Sequence, residues 1–172
     1  EPTNYKFSTG TTIVTWEVTD KTGNKSSDTQ EVTVGDNENP TITAPADKTA
    51  VTNLDGAGNC TTSVSLGTPT TGDNCEVDFT KAYVDGAEID PANYKFSIGT
   101  TIVTWEVTDK TGNKSSDTQE VTVTDNEKPI VTAGPDIIVP NMTNQCYAGV
   151  SEVVATATDN CNVGNPQGER SD

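Results

Sequence analysis

Residues 2–34 return almost unchanged as residues 91–123: 31 of 33 positions are identical, the exceptions being Thr3 against Ala92 and Thr9 against Ile98. A chain that writes one segment twice, 89 residues apart, points to serial copies of one small unit. The match continues through Asp36, Asn37 and Glu38 against Asp125, Asn126 and Glu127, and through Pro40 against Pro129. Farther on the offset becomes 86, which aligns Cys60 with Cys146 and Cys75 with Cys161. These registers predict one complete repeat over residues 37–125, preceded by the C-terminal part of a copy (1–36) and followed by the N-terminal part of another (126–172). Neither partial copy has enough chain to bury a core alone, so the expectation is a window on a longer array.

The repeat is β-structured. Only 31% of residues are hydrophobic whereas Thr occurs 31 times, a balance suited to thin sheets with one wet face and not to helices with broad apolar stripes. Thr41–Ala44 can start a first strand, Cys60–Leu66 alternates small polar and apolar residues as a second, and Gly67–Asn74 reads as a turn. Glu76–Val84 follows as a strand closed by the tight-turn pair Asp85-Gly86. Thr100–Thr108 puts Thr101, Val103, Trp105 and Val107 on one face, with Trp105 as core anchor, and Thr118–Val123 returns after a polar loop over Asp109–Ser116. Turn signals every ~8–12 residues, with no helical periodicity, predict tandem immunoglobulin-like Greek-key β-sandwiches of about 90 residues and seven strands each.

Charge narrows the partners. Lys and Arg number 10 against 26 Asp and Glu, a net charge of −16, so nucleic acid and anionic membrane surfaces are excluded as partners. No run approaches the ~20 apolar residues that cross a bilayer, and no secretory leader opens the segment, so membrane insertion within it is not expected.

The four cysteines fall into two pairs of equal spacing, Cys60 with Cys75 and Cys146 with Cys161, in a chain without His. In a small Thr-rich β protein they read as disulfides of an oxidising compartment. Zinc is disfavoured because the pairs are far apart in sequence and lack short CxxC spacing. One difficulty stands: a straight second strand of about seven residues at ~3.3 Å each would hold Cys60 and Cys75 too far apart to bond. Pairing between chains is the alternative.

The segments Asp73-Asn74-Cys75, Phe96 to Asn113 and Val121-Thr122-Val123-Thr124-Asp125-Asn126-Glu127-Lys128-Pro129 together resemble the hyalin repeat (HYR) family, over essentially the whole chain. That resemblance implies an immunoglobulin-like fold and an extracellular, cell-surface, adhesion-related setting. Members often carry two further cysteines in regions occupied here by Ala44-Pro45 and Thr118-Gln119-Glu120, a departure that looks like the bacterial branch with its long surface arrays.

In an immunoglobulin-type sandwich the loop between the second and third strands, the loop of the final hairpin and the incoming linker gather at one pole. Here those places hold Asp36, Asn37 and Glu38; Asp73 and Asn74; and Asp109 with Asn113. The next junction repeats the set as Asp125, Asn126, Glu127, Asp159 and Asn160. Ca²⁺ takes 6–8 hard oxygen ligands of this kind, so calcium-stiffened junctions are one expectation. The other is that these residues close Asx-turns and need no ion.

Catalysis finds little support, since without His the Ser-His and Cys-His nucleophile pairs are impossible. Trp16 and Trp105 stand at core-type spacing, which favours packing over sugar stacking. Asn24, Asn59, Asn113 and Asn141 begin Asn-x-Ser/Thr sequons. The expected function is therefore mechanical: a spacer or fibre stalk whose partners are neighbouring repeats. The alternatives are repeats that grip polysaccharide or other cell-surface ligands, and repeats that self-associate into filaments.

Overall fold

The computed structural model describes residues 5–52, 59–150, 153–161 and 163–169, and every regular element among them is a β-strand. In chain order the strands are β1 (Gly10–Thr19), β2 (Lys25–Val34), β3 (Thr41–Thr43), β4 (Lys48–Val51), β5 (Thr61–Ser63), β6 (Thr70–Gly72) and β7 (Val77–Val84). There follow β8 (Ala87–Ile89), β9 (Lys95–Ser97), β10 (Gly99–Asp109), β11 (Lys114–Thr124), β12 (Ile130–Ala133) and β13 (Ala155–Thr158). The largest sheet has the order β4-β11-β10-β7-β8, and the remaining strands pair as β1-β2, β3-β6, β5-β9 and β12-β13. The all-β class expected from the sequence is the class observed.

The chain divides into two compact units. One comprises Glu1–Ala46, Gly67–Ile89 and Val103–Gln119. Its core side chains are Ala82, Val84, Val103, Trp105 and Val107, all buried. The alternation along β10 explains this: with side chains pointing to opposite faces in turn, Val103, Trp105 and Val107 share one face, while Thr104 and Glu106 take the other and stay partly exposed. The Trp105 indole N–H donates to Gln119 Oε1 at 3.2 Å, and Gln119 Nε2 donates to the Ala46 carbonyl at 2.7 Å. A fully buried amide is thereby held on both sides. Asp85 (φ 49°) and Gly86 (φ 80°) form the two-residue turn joining β7 to β8, the conformation that an Asp-Gly pair adopts at small steric cost.

The other unit comprises Asp47–Leu66, Asp90–Ile102 and Glu120–Asp172. Leu66, Phe96, Val121 and Val123 are buried, with Thr52 and Thr62 among them. Tyr94 meets Phe96 edge-on at a centroid distance of 4.8 Å. Here β4 runs parallel to β11, from Val121 opposite Lys48 to Thr124 opposite Val51.

Several expectations need adjusting. Residues 37–125 hold nine strand segments among the described residues where seven strands were expected. The predicted strand over Cys60–Leu66 shortens to β5, and the predicted turn over Gly67–Asn74 contains β6. Gly67 breaks the run: it sits at φ 91°, and a Cβ there would stand 3.3 Å from the Pro45 side chain. Trp16 is not a core residue in this structure. It lies on β1 with 54% of its surface exposed, although its sequence context is the same as that of Trp105.

Candidate metal centres

Two clusters of acid and thiol groups form, one in each unit. Asp36, Asp73 and Cys75 bring one ligand atom each to within 4.8 Å of one another, and Asp125, Asp159 and Cys161 do the same. The second set is the first displaced by the two repeat offsets, 89 for the aspartate after the final strand and 86 for the Asp-Asn-Cys triplet.

In the first cluster the backbone dictates how each carboxylate is held. Asp73 Oδ2 accepts hydrogen bonds from the amides of Cys75 at 2.8 Å and Glu76 at 3.1 Å, closing an Asx-type turn. Asp36 Oδ1 accepts one from the Glu38 amide at 3.1 Å. Each acid is left with a buried oxygen, Asp36 Oδ2 and Asp73 Oδ1, that takes no conventional hydrogen bond. Like-charged carboxylates drawn within 4.8 Å of one another are costly without a cation or water between them. Desolvation, the contact with the Asp36 carboxylate and the negative charges of Asp36 and Asp73 push the Cys75 thiol above its ordinary range. The paired carboxylate oxygens suit a hard cation that completes its shell with water.

The second cluster is tied more tightly. Asp125 Oδ1 accepts from the Glu127 amide at 3.0 Å and from the Thr52 hydroxyl at 3.2 Å. Asp159 Oδ1 accepts from the Cys161 amide at 3.0 Å. Buried Asn160 donates through Nδ2 to Thr52 Oγ1 at 3.2 Å. Desolvation, a hydrogen bond with the Cys60 thiol and the charge of Asp125 push Cys161 up to about 12. Glu127 Oε2 is buried without a hydrogen-bond partner.

The remaining expected ligands divide cleanly. Asp109 is consumed by its own loop: Oδ1 accepts from the amides of Thr111, Gly112 and Asn113 at 2.8, 2.6 and 2.8 Å, and Oδ2 accepts from Asn113 Nδ2 at 2.7 Å. That is the turn-closing role, with no lone pairs presented to an ion. Asn113 does reach the first cluster, where Nδ2 donates to the Asp36 carbonyl at 3.3 Å. Asn37, Glu38, Asn74 and Asn126 are exposed. Cys75, Cys161 and Thr52 were not foreseen as members of these clusters. The triplet Asp-Asn-Cys, kept intact at both places, was the available signal.

The cysteines do not pair as the spacing suggested. All four are free thiols, and Cys60 lies against Cys161, not Cys75: its Sγ donates to the Asn160 carbonyl at 3.0 Å. Cys60 immediately precedes β5, and Cys75 follows β6.

No protein-family model matches the chain. Over 163 residues, 90% of the chain, it is 33% identical to Hyalin of Strongylocentrotus purpuratus, and the matching stretch spans 13% of that protein. The chain is thus similar to a minor part of a much longer relative. That relative comes from a sea urchin, and the expectation of a bacterial branch finds no support in it.

Proposed function

We propose that the chain is a structural and adhesive segment of an extracellular or cell-surface protein, a β-stalk with no catalytic role. The observation that carries this reading is the exact recurrence of one acid-lined cluster, Asp36 with Asp73 and then Asp125 with Asp159, in a chain similar to Hyalin. Serial copies with the same polar clusters extend reach and multiply weak contacts, whereas catalysis needs one specialised cleft.

In this reading Ca²⁺ occupies both clusters, bound by the carboxylates of Asp36 and Asp73 and of Asp125 and Asp159, with water completing the shell and the thiols remaining outside it. Titrating the whole chain with Ca²⁺ in a calorimeter tests it. The expected result is heat of binding and a rise in melting temperature at millimolar Ca²⁺, both weakened in Asp36→Ala and lost in Asp36→Ala/Asp125→Ala. No heat and no rise in the parent chain would remove the cation from the proposal.

A further inference from the structure

We propose that Cys60 and Cys161 form a disulfide that staples one repeat to the next, in place of a bridge inside each repeat. The two residues stand 101 positions apart in sequence, on opposite sides of the boundary near Asp125 that the repeat register defines. They nonetheless share one polar nest. The Cys60 thiol donates to the carbonyl of Asn160, the residue before Cys161, at 3.0 Å, which brings it beside the backbone that carries Cys161. Both are half-buried.

The surrounding contacts hold this meeting in register. Thr52 is 1% exposed and links the two sides: its hydroxyl donates to Asp125 Oδ1 at 3.2 Å and accepts from Asn160 Nδ2 at 3.2 Å. Asn160 is 4% exposed, so the backbone that carries Cys161 is fixed from within. A bridge between two thiols brought into one polar nest closes a long loop, which is where a cross-link restricts the unfolded chain most.

The chemistry is a thiol–disulfide exchange with a disulfide oxidant such as oxidised glutathione. One cysteine, as thiolate, attacks a sulfur of the oxidant and releases one glutathione thiol. The second cysteine, as thiolate, attacks the mixed disulfide and releases the other. The protein gives up two protons and two electrons, and the oxidant is reduced to two thiols.

Sequence repetition extends the geometry. Cys75 occupies the position of Cys161, and Cys146 that of Cys60. In a tandem array each repeat would then lend one cysteine to the copy before it and one to the copy after it. Within this chain alone Cys75 and Cys146 have no such partner and remain free.

Peptide mapping of the whole chain, oxidised with oxidised glutathione and blocked with an alkylating agent, tests the pairing. Cleavage on the amino side of Asp gives each cysteine its own peptide: residues 55–72 hold Cys60, 73–77 Cys75, 136–158 Cys146 and 159–171 Cys161. The expected product joins 55–72 to 159–171 within a monomer, unchanged when calcium is chelated. It raises the melting temperature by on the order of 10 °C over the reduced chain. Cys60→Ser and Cys161→Ser each abolish the rise, whereas Cys75→Ser leaves it. A join of 55–72 to 73–77, a disulfide-linked dimer, or four cysteines free to alkylate would each overturn the proposal. The calcium titration can fail without touching this outcome, so the two readings fall separately.

Discussion

The hairpins β1-β2 and β10-β11 have identical sequences over residues 10–34 and 99–123, yet live in different surroundings. Their local contacts match. Trp16 Nε1 donates to Gln30 Oε1 at 3.1 Å as Trp105 does to Gln119 at 3.2 Å, and Lys25 pairs with Glu17 at 2.6 Å as Lys114 does with Glu106 at 2.7 Å. Asp20 closes its loop with the amides of Thr22 and Asn24, the counterparts of two of the three that Asp109 uses. Burial separates them: Trp16 is 54% exposed against 4% for Trp105, and Val18 68% against 0% for Val107. Strand register, loop closure and cross-strand pairs are therefore written locally, while the apolar face acquires its energetic value only where other strands cover it.

Paired substitutions break this comparison open. Trp105→Ala is expected to cost about 3–5 kcal/mol in denaturant unfolding, because a buried indole leaves a cavity and an unpaired amide behind. Trp16→Ala should move the same transition by less than about 0.5 kcal/mol. Equal effects would show that β1-β2 is covered in solution. Gln119→Ala comes next, at about 1–3 kcal/mol, since it strips both the Trp105 N–H and the Ala46 carbonyl of a buried partner; Gln30→Ala should be close to silent.

The smallest contrast is in pH dependence. Burial works to raise Asp109, but the hydrogen bonds from the Asn113 side chain and from the amides of Asn113 and Thr111 outweigh it, so its carboxyl lies below the ordinary range. Asp20, held by the Asn24 and Thr22 side chains, is depressed as well. A carboxyl depressed in the folded state stabilises above its unfolded value of about 3.9, and that contribution fades as pH falls through the folded value. The melting temperature should thus hold near neutrality and decline below about pH 4. Asp109→Asn should lower it at pH 7 and flatten the acid decline, whereas Asp20→Asn should leave the global transition where it is.

Much of this was legible beforehand because it is local. The period-two pattern around Trp105, the Asp85-Gly86 turn and the loop centred on Asp109 each depend on neighbours a few residues away. What escaped notice was non-local. The three-residue strands β6 and β9 and the parallel strand β4 have no periodicity of their own and are defined by their partners. The acid clusters were half-visible: the register put Asp36 with Asp73, but membership of Cys75 and Thr52, and the meeting of Cys60 with Cys161, depend on tertiary approach that spacing does not encode. Trp16, in a partial copy, stands exposed for the converse reason, since an apolar face states what it can cover and not whether anything arrives.

The parallel pairing of β4 with β11 has a consequence for a protein under load. Tension entering at Lys48 and leaving at Thr124 pulls along both strands, so the four registered positions and the Thr52 amide bond to the Thr124 carbonyl at 3.0 Å are strained together. Bonds loaded in shear yield as a group, whereas a peeled hairpin surrenders them one at a time. In the stalk role proposed above, these four residues of an unobtrusive strand would act as a latch oriented to resist stretching.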